Sequence, residues 1–284
     1  MTTTMLETRA LASTPGVART RHRRTGRVTL GRVIHSEWIK IWSLRSTVVS
    51  LLATVGVVVA LGLLFSAVAS GHVGGDSLGI GAGGTADPVG ASLGGVQLAQ
   101  LVIGVIGVLL VAGEYSTGMI RTTLAAVPKR LPVLWGKTLV FGGVTLALTL
   151  VGTLAAFFGG QQILGTHGVD LFDPGVLRAV VGGAVYLTGV GLLGLALAAM
   201  LRATAAAIAA LFGAMLVVPG LFPLLPSSWN DAVGPYLPSH AGESFMAVTP
   251  SAGMLGPWAG LAVFAGYVVV ALAAAAVLLK RRDA

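Results

Sequence analysis

Gly136, Lys137 and Thr138 form the one tripeptide in this chain that invites a search for phosphate chemistry. A P-loop of the form GxxxxGK[ST] wraps backbone amides and a lysine around phosphates, and it needs a strand before the Gly-rich turn. Here the position five before Gly136 is Leu131, Pro132 and bulky side chains fill the interval, and no strand pattern leads in. The expectation is therefore a glycine beside a lysine that snorkels to the interface where the chain re-enters the membrane. Ser239 and His240 are adjacent, an arrangement that rarely lets a nucleophile face its base. His72, His167 and His240 sit in three separate connections with no metal-ligand spacing, no HExxH occurs, and the GGD at Gly74 to Asp76 is soluble-loop sequence. With 0 Cys there is no thiolate ligand, thiol nucleophile or disulfide. No catalytic residue, metal site or cofactor site is expected in this chain.

What must hold these residues is set by composition. Only 10% of the 284 residues are charged and 55% are hydrophobic, with mean hydropathy +0.89; a soluble domain carries about 25% charged residues. The class is an all-α membrane protein. Six apolar runs reach the length a helix needs to cross a bilayer: Thr47–Ser70, Gly94–Gly113, Val133–Gly160, Val176–Leu201, Ala203–Leu225 and Pro257–Leu279. Of the 18 Lys and Arg, nine precede Thr47, and all but Arg178 fall on one side of the six spans. The remaining connections hold Asp76, Asp87, Asp170, Asp173, Asp231 and Glu243, so the distribution of cations puts both termini in the cytoplasm. The formal charge of +8 is accordingly a tail and a juxtamembrane belt, not a nucleic-acid-binding face. Residues 1–28 lack an apolar core for a signal sequence and read as a disordered basic cytoplasmic tail.

Within that frame, residues 29–46 read as an amphipathic interfacial helix and 47–284 as the six-span domain. Leu30, Val33, Ile34, Trp38, Ile41 and Leu44 share one arc, opposite Arg32, Ser36, Lys40 and Ser43. Glu37 falls inside the apolar arc and Ile39 inside the polar one, which spoils the pattern. The run interiors are read as free of Asp, Glu, Lys and His, with Arg178 at an outer end, which argues against a proton relay. Gly152, Ala156 and Gly160 in the third run, and Ala206, Ala210 and Ala214 in the fifth, would let another helix approach closely. The segment 218–256, with Pro257 beyond it, carries seven prolines together with Trp229, Tyr236 and Trp258, which predicts short pieces dipping into or lying on the outer interface. Gln97, Gln100 and Tyr186 add scattered polarity to spans that suit many substrates.

Between the second and third runs lies GEYSTGMIRTTLAAVPKR, Gly113 to Arg130. A helix drawn from Glu114 to Val127 puts Met119, Ile120, Leu124 and Val127 on one side and Glu114, Gly118 and Arg121 on another, and Pro128 stops it. This segment, the HSEWIKIWSLRST before the first run, and six spans ending in KRRDA resemble the permease subunits of type 2 ABC exporters (ABC-2), in their high-GC bacterial form. The resemblance covers the chain beyond residue 28 and rests on E-Y-x-x-G-x-x-R-x-x-L-x-x-x-P, here Glu114, Tyr115, Gly118, Arg121, Leu124 and Pro128. It implies that 114–130 is a cytoplasmic coupling helix docking on a separate ATP-binding subunit, which would hold the ATP and Mg. It implies that Glu37, Trp38, Lys40 and Arg45 belong to a connecting helix, and that 218–256 is re-entrant. It also implies a second permease subunit, identical or not, and a place in the plasma membrane. A stand-alone sodium-coupled carrier, a channel-like protein and a non-transporting membrane anchor are the alternatives from other classes.

Overall fold

The computed structural model describes residues 29–43, 45–72, 87–120, 130–249 and 253–281. Among them there is no strand, and six helical stretches are long and apolar enough to cross a membrane. The α-helices are α1 (Leu30–Ser43), α2 (Arg45–Ala69), α3 (Pro88–Leu93), α4 (Gly95–Ser116), α5 (Leu131–Leu164), α6 (Val176–Leu201), α7 (Thr204–Phe212), α8 (Val218–Leu221), α9 (Ser227–Val233), α10 (Pro238–Met246) and α11 (Pro257–Arg281). The spans are α2, α3 with α4, α5, α6, the α7–α8 stretch and α11. They match the six apolar runs, and the fourth coincides with its run end to end. α5 is longer than its run, because Gln161 and Gln162 continue the helix to Leu164.

The centre of the bundle is α6, which packs against α4, α5, α7, α10 and α11. Its contact with α4 is close enough to need glycine. A Cβ at Gly107 would lie 2.0 Å from the Gly191 carbonyl oxygen, and one at Gly194 would lie 2.4 Å from that of Gly104. Each substitution would push two helices apart along their whole contact. The stripe Gly152, Ala156, Gly160 does the same between α5 and its neighbours: Gly152 faces Val55, and Gly160 faces Ser66 and Ser92. The second stripe is not the row that packs within the chain. α7 buries Ala207 and Leu211 and the π turn after it buries Met215, whereas Ala206 and Ala214 are exposed, so the row packed within the chain runs one position later.

The fifth span is not one regular helix. A π turn at Gly213–Val217 and Pro219 break it before it dissolves into the 3-10 turn Phe222–Leu224. The short pieces α9 and α10 follow, as the prolines predict. α10 tucks back against α6 and α11, burying Ser239, Ala241, Gly242, Ser244 and Phe245. Arg178 at the start of α6 holds it there, donating to the carbonyls of Phe245 (2.5 Å) and Ala247 (2.8 Å) at the end of α10. These are C-terminal carbonyls that the helix itself cannot satisfy. Asp87 caps α3 by accepting from the Val89 amide at 3.0 Å.

Candidate functional site

α1 lies against the end of the bundle where α4 finishes and α5 begins. Its inward row is Val33, Glu37 and Ile41, spaced i, i+4, i+8, packed on α5 and α2. Trp38, Ile39 and Trp42 are about half exposed, and the two indoles stack at 5.7 Å in a tilted pair. The helix is therefore amphipathic in three parts rather than two. Glu37, which looks like a flaw in the apolar arc, is the centre of the face that docks.

The reason is a cluster of four charges. Glu37 Oε2 accepts from Lys137 Nζ at 2.9 Å and Glu37 Oε1 from Lys40 Nζ at 2.8 Å. Glu114 Oε1 accepts from both, at 2.7 Å from Lys137 and 3.1 Å from Lys40. Among the described residues two carboxylates and two ammonium groups balance to zero, the condition under which charges tolerate burial. The side chains of Glu37, Lys137 and Glu114 are only 4%, 4% and 6% exposed, while Lys40, at 31%, forms the rim. At Lys40 burial works against the charge, but the hydrogen bond to Glu37 and the charges of Glu37 and Glu114 outweigh it. Its ammonium titrates above the ordinary lysine value.

The GKT tripeptide has its meaning here. All three residues lie inside α5. A Cβ at Gly136 would sit 2.9 Å from Val33 Cγ1, so the glycine admits α1. Thr138 spends its hydroxyl on the Leu134 carbonyl one turn back, at 2.9 Å. Lys137 does not extend as a snorkelling lysine would: it is buried and ion-paired. It also lies within the bounds of the third run, so the expectation of run interiors free of Lys is corrected. The buried charged residues among those described are Glu37, Glu114 and Lys137.

The motif E-Y-x-x-G divides at this point. Glu114 and Tyr115 belong to the last turn of α4 and do not begin a separate helix. Gly118 follows α4 with φ +72, a left-handed value that glycine adopts without strain, and its amide donates to the Tyr115 carbonyl at 3.2 Å. Met119 and Ile120 resume helical geometry; Arg121, Leu124 and Pro128 lie outside the described residues. Tyr115 packs with Ile120 and Val133, and the Arg202 guanidinium sits 5.4 Å above its ring. The short turn between α6 and α7 thus reaches the same place, although its length suggests little binding capacity. Arg130 ties in α11 by donating to the Leu279 carbonyl at 3.4 Å. Of the residues expected in a connecting helix, Glu37 and Lys40 enter the cluster, while Trp38 and Arg45 are exposed away from it.

Sequence reasoning missed Lys137 as a partner of Glu37 and Glu114. The signal was there in three oddities at one end of the spans: an acid in an apolar arc, an acid closing a run, and a base inside one. The other candidates stay apart. His240 Nδ1 pairs with the Gly234 carbonyl at 2.8 Å and not with Ser239. His72 is bonded to Ser70 Oγ at 2.7 Å, and the GGD lies outside the described residues. Among the described residues no three His, Asp or Glu side chains are placed to hold a metal ion. Neither any protein-family model nor any curated protein sequence matches the chain.

Proposed function

We propose that the chain is the membrane-spanning permease subunit of a type 2 ABC exporter, driven by a separate ATP-binding subunit that carries the ATP and Mg. The observation that carries this reading is the buried four-charge cluster. It fastens an in-plane helix, the end of the second span and the start of the third into one block beside the segment that resembles a coupling helix. A subunit that receives force from outside needs such a block, because a push on a loosely attached loop would be absorbed locally. Chain ends at this face are cytoplasmic by the distribution of Lys and Arg, the host bilayer is the plasma membrane, and a second permease subunit completes the pathway. The resemblance supplies the partner and the outward direction of transport.

The test is co-expression and co-purification with a candidate P-loop ATP-binding subunit. Arg121→Glu is expected to abolish co-purification and stimulation of ATP hydrolysis while leaving membrane insertion intact. Unchanged association and hydrolysis would refute the coupling role. Orientation is tested in sealed cells, where an impermeant thiol reagent is expected to label Asn230→Cys and not Thr122→Cys.

A further inference from the structure

Beside the charge cluster a cavity of about 510 Å³ opens between the start of α2 and the end of α4. That volume lies in the range of small-molecule sites. Ser46, Thr47 and Ser50 from α2 bring hydroxyl groups to the lining, Ile106, Leu109 and Leu110 from α4 make their side apolar, and the four residues of the charge cluster line it too. Leu109 is half exposed on a membrane-spanning face and Lys40 is partly exposed at the bundle end, so the cavity meets both the apolar and the polar surroundings. One cavity-lining group is chemically incomplete. Glu114 Oε2 is buried and accepts no hydrogen bond, whereas Oε1 takes two. A buried carboxylate oxygen without a donor is costly, and a ligand that supplies one recovers that cost.

We propose that this cavity binds a neutral amphiphile whose head carries hydroxyl groups. The donor is a hydroxyl directed at Glu114 Oε2. The head is neutral because the four charges already cancel, and an ionised head would bring an uncompensated charge into a desolvated place. The serine and threonine wall complements a polyol, and the tail lies along Ile106, Leu109 and Leu110. The inference stands apart from the transport reading, since a site of this kind binds whether or not an ATP-binding partner exists.

The experiment uses the full chain reconstituted in phosphatidylcholine vesicles. With 0 Cys in the sequence, Ser43→Cys at the rim carries an environment-sensitive fluorophore without competing labels. Monolauroylglycerol is expected to give a saturable shift. Methyl laurate, which has the tail but no donor, is expected to bind about tenfold more weakly or worse, the equivalent of one hydrogen bond to a charged group. Laurate and dodecylamine should also bind more weakly. Leu109→Trp, on a partly exposed position that leaves the cluster untouched, should fill the cavity and weaken monolauroylglycerol about tenfold. Competition by dilauroylglycerol in the vesicles would mark a bilayer lipid as the source, and competition by octyl glucoside alone a water-soluble amphiphile. Equal binding of methyl laurate, an unaffected Leu109→Trp protein, or no saturation would overturn the proposal.

Discussion

Removing Lys137 should do more harm than removing Lys137 and Glu114 together. The wild-type cluster sums to zero: Glu37 and Glu114 against Lys40 and Lys137. Lys137→Met takes away the bonds at 2.9 Å and 2.7 Å and leaves two buried carboxylates sharing one rim lysine. An uncompensated buried charge of this kind costs about 3–5 kcal/mol. In Glu114→Gln/Lys137→Met the surviving Glu37 and Lys40 still pair at 2.8 Å and the net charge is again zero, so the cost should fall to less than about 2 kcal/mol. The cycle is measured by equilibrium denaturation in detergent micelles followed by circular dichroism. A local readout comes from Val33→Cys in the cysteine-free chain: Val33 is 5% exposed and protected from thiol reagents only while α1 is docked. Lys137→Met should expose it, and the double variant should restore much of the protection. Single and double variants that add within about 0.5 kcal/mol, or a Lys137→Met protein as stable as wild type, would refute the reasoning.

Gly136→Ala should destabilise α1 docking by about 1 kcal/mol through its contact with Val33, and Val33→Ala should relieve it, as read by the same denaturation curves. The Lys40 ammonium, held above the lysine value of 10.5, contributes stability that is complete below that pH and disappears as pH rises through its own higher value. The Trp38 fluorescence of α1 should therefore stay constant up to about pH 10.5 and change only beyond it, whereas an earlier transition would contradict the pairing. Arg178→Met removes both donors to the end of α10 and should cost about 1.5–3 kcal/mol, with Ser244→Cys, 2% exposed in the docked helix, becoming reactive.

The membrane-spanning helices were legible because a bilayer asks for one simple property over a long stretch, and α2, α4, α5, α6 and α11 supply it. The fifth span was legible as apolar length but not as a broken helix. Its π turn at Gly213–Val217 has no signature in apolar periodicity, which marks length and not the hydrogen-bond register of a helix. The charge cluster was hidden for a different reason. Glu37 and Lys137 are 100 positions apart and each, taken alone, has an ordinary explanation, a pattern flaw or a snorkelling cation. Only the approach of α1 to Gly136 turns two exceptions into one pair. The proline-rich segment lay at the other extreme, because proline acts on its own backbone and the short helices follow residue by residue.

Helix α6 has a cation at each end, and this makes it a lever. Its 26 residues span about 39 Å at 1.5 Å per residue. Arg178 grips α10 at one end, and Arg202, in a left-handed turn with φ 56, covers Tyr115 at the other. A rod tilted by about 5° around its midpoint carries each tip roughly 1.7 Å in opposite directions, by the same length estimate. That displacement is enough to break a hydrogen bond of 2.8 Å. α10 and the end of α4 are therefore joined through a single helix: a tilt of that size in α6 would either carry both with it or release an arginine.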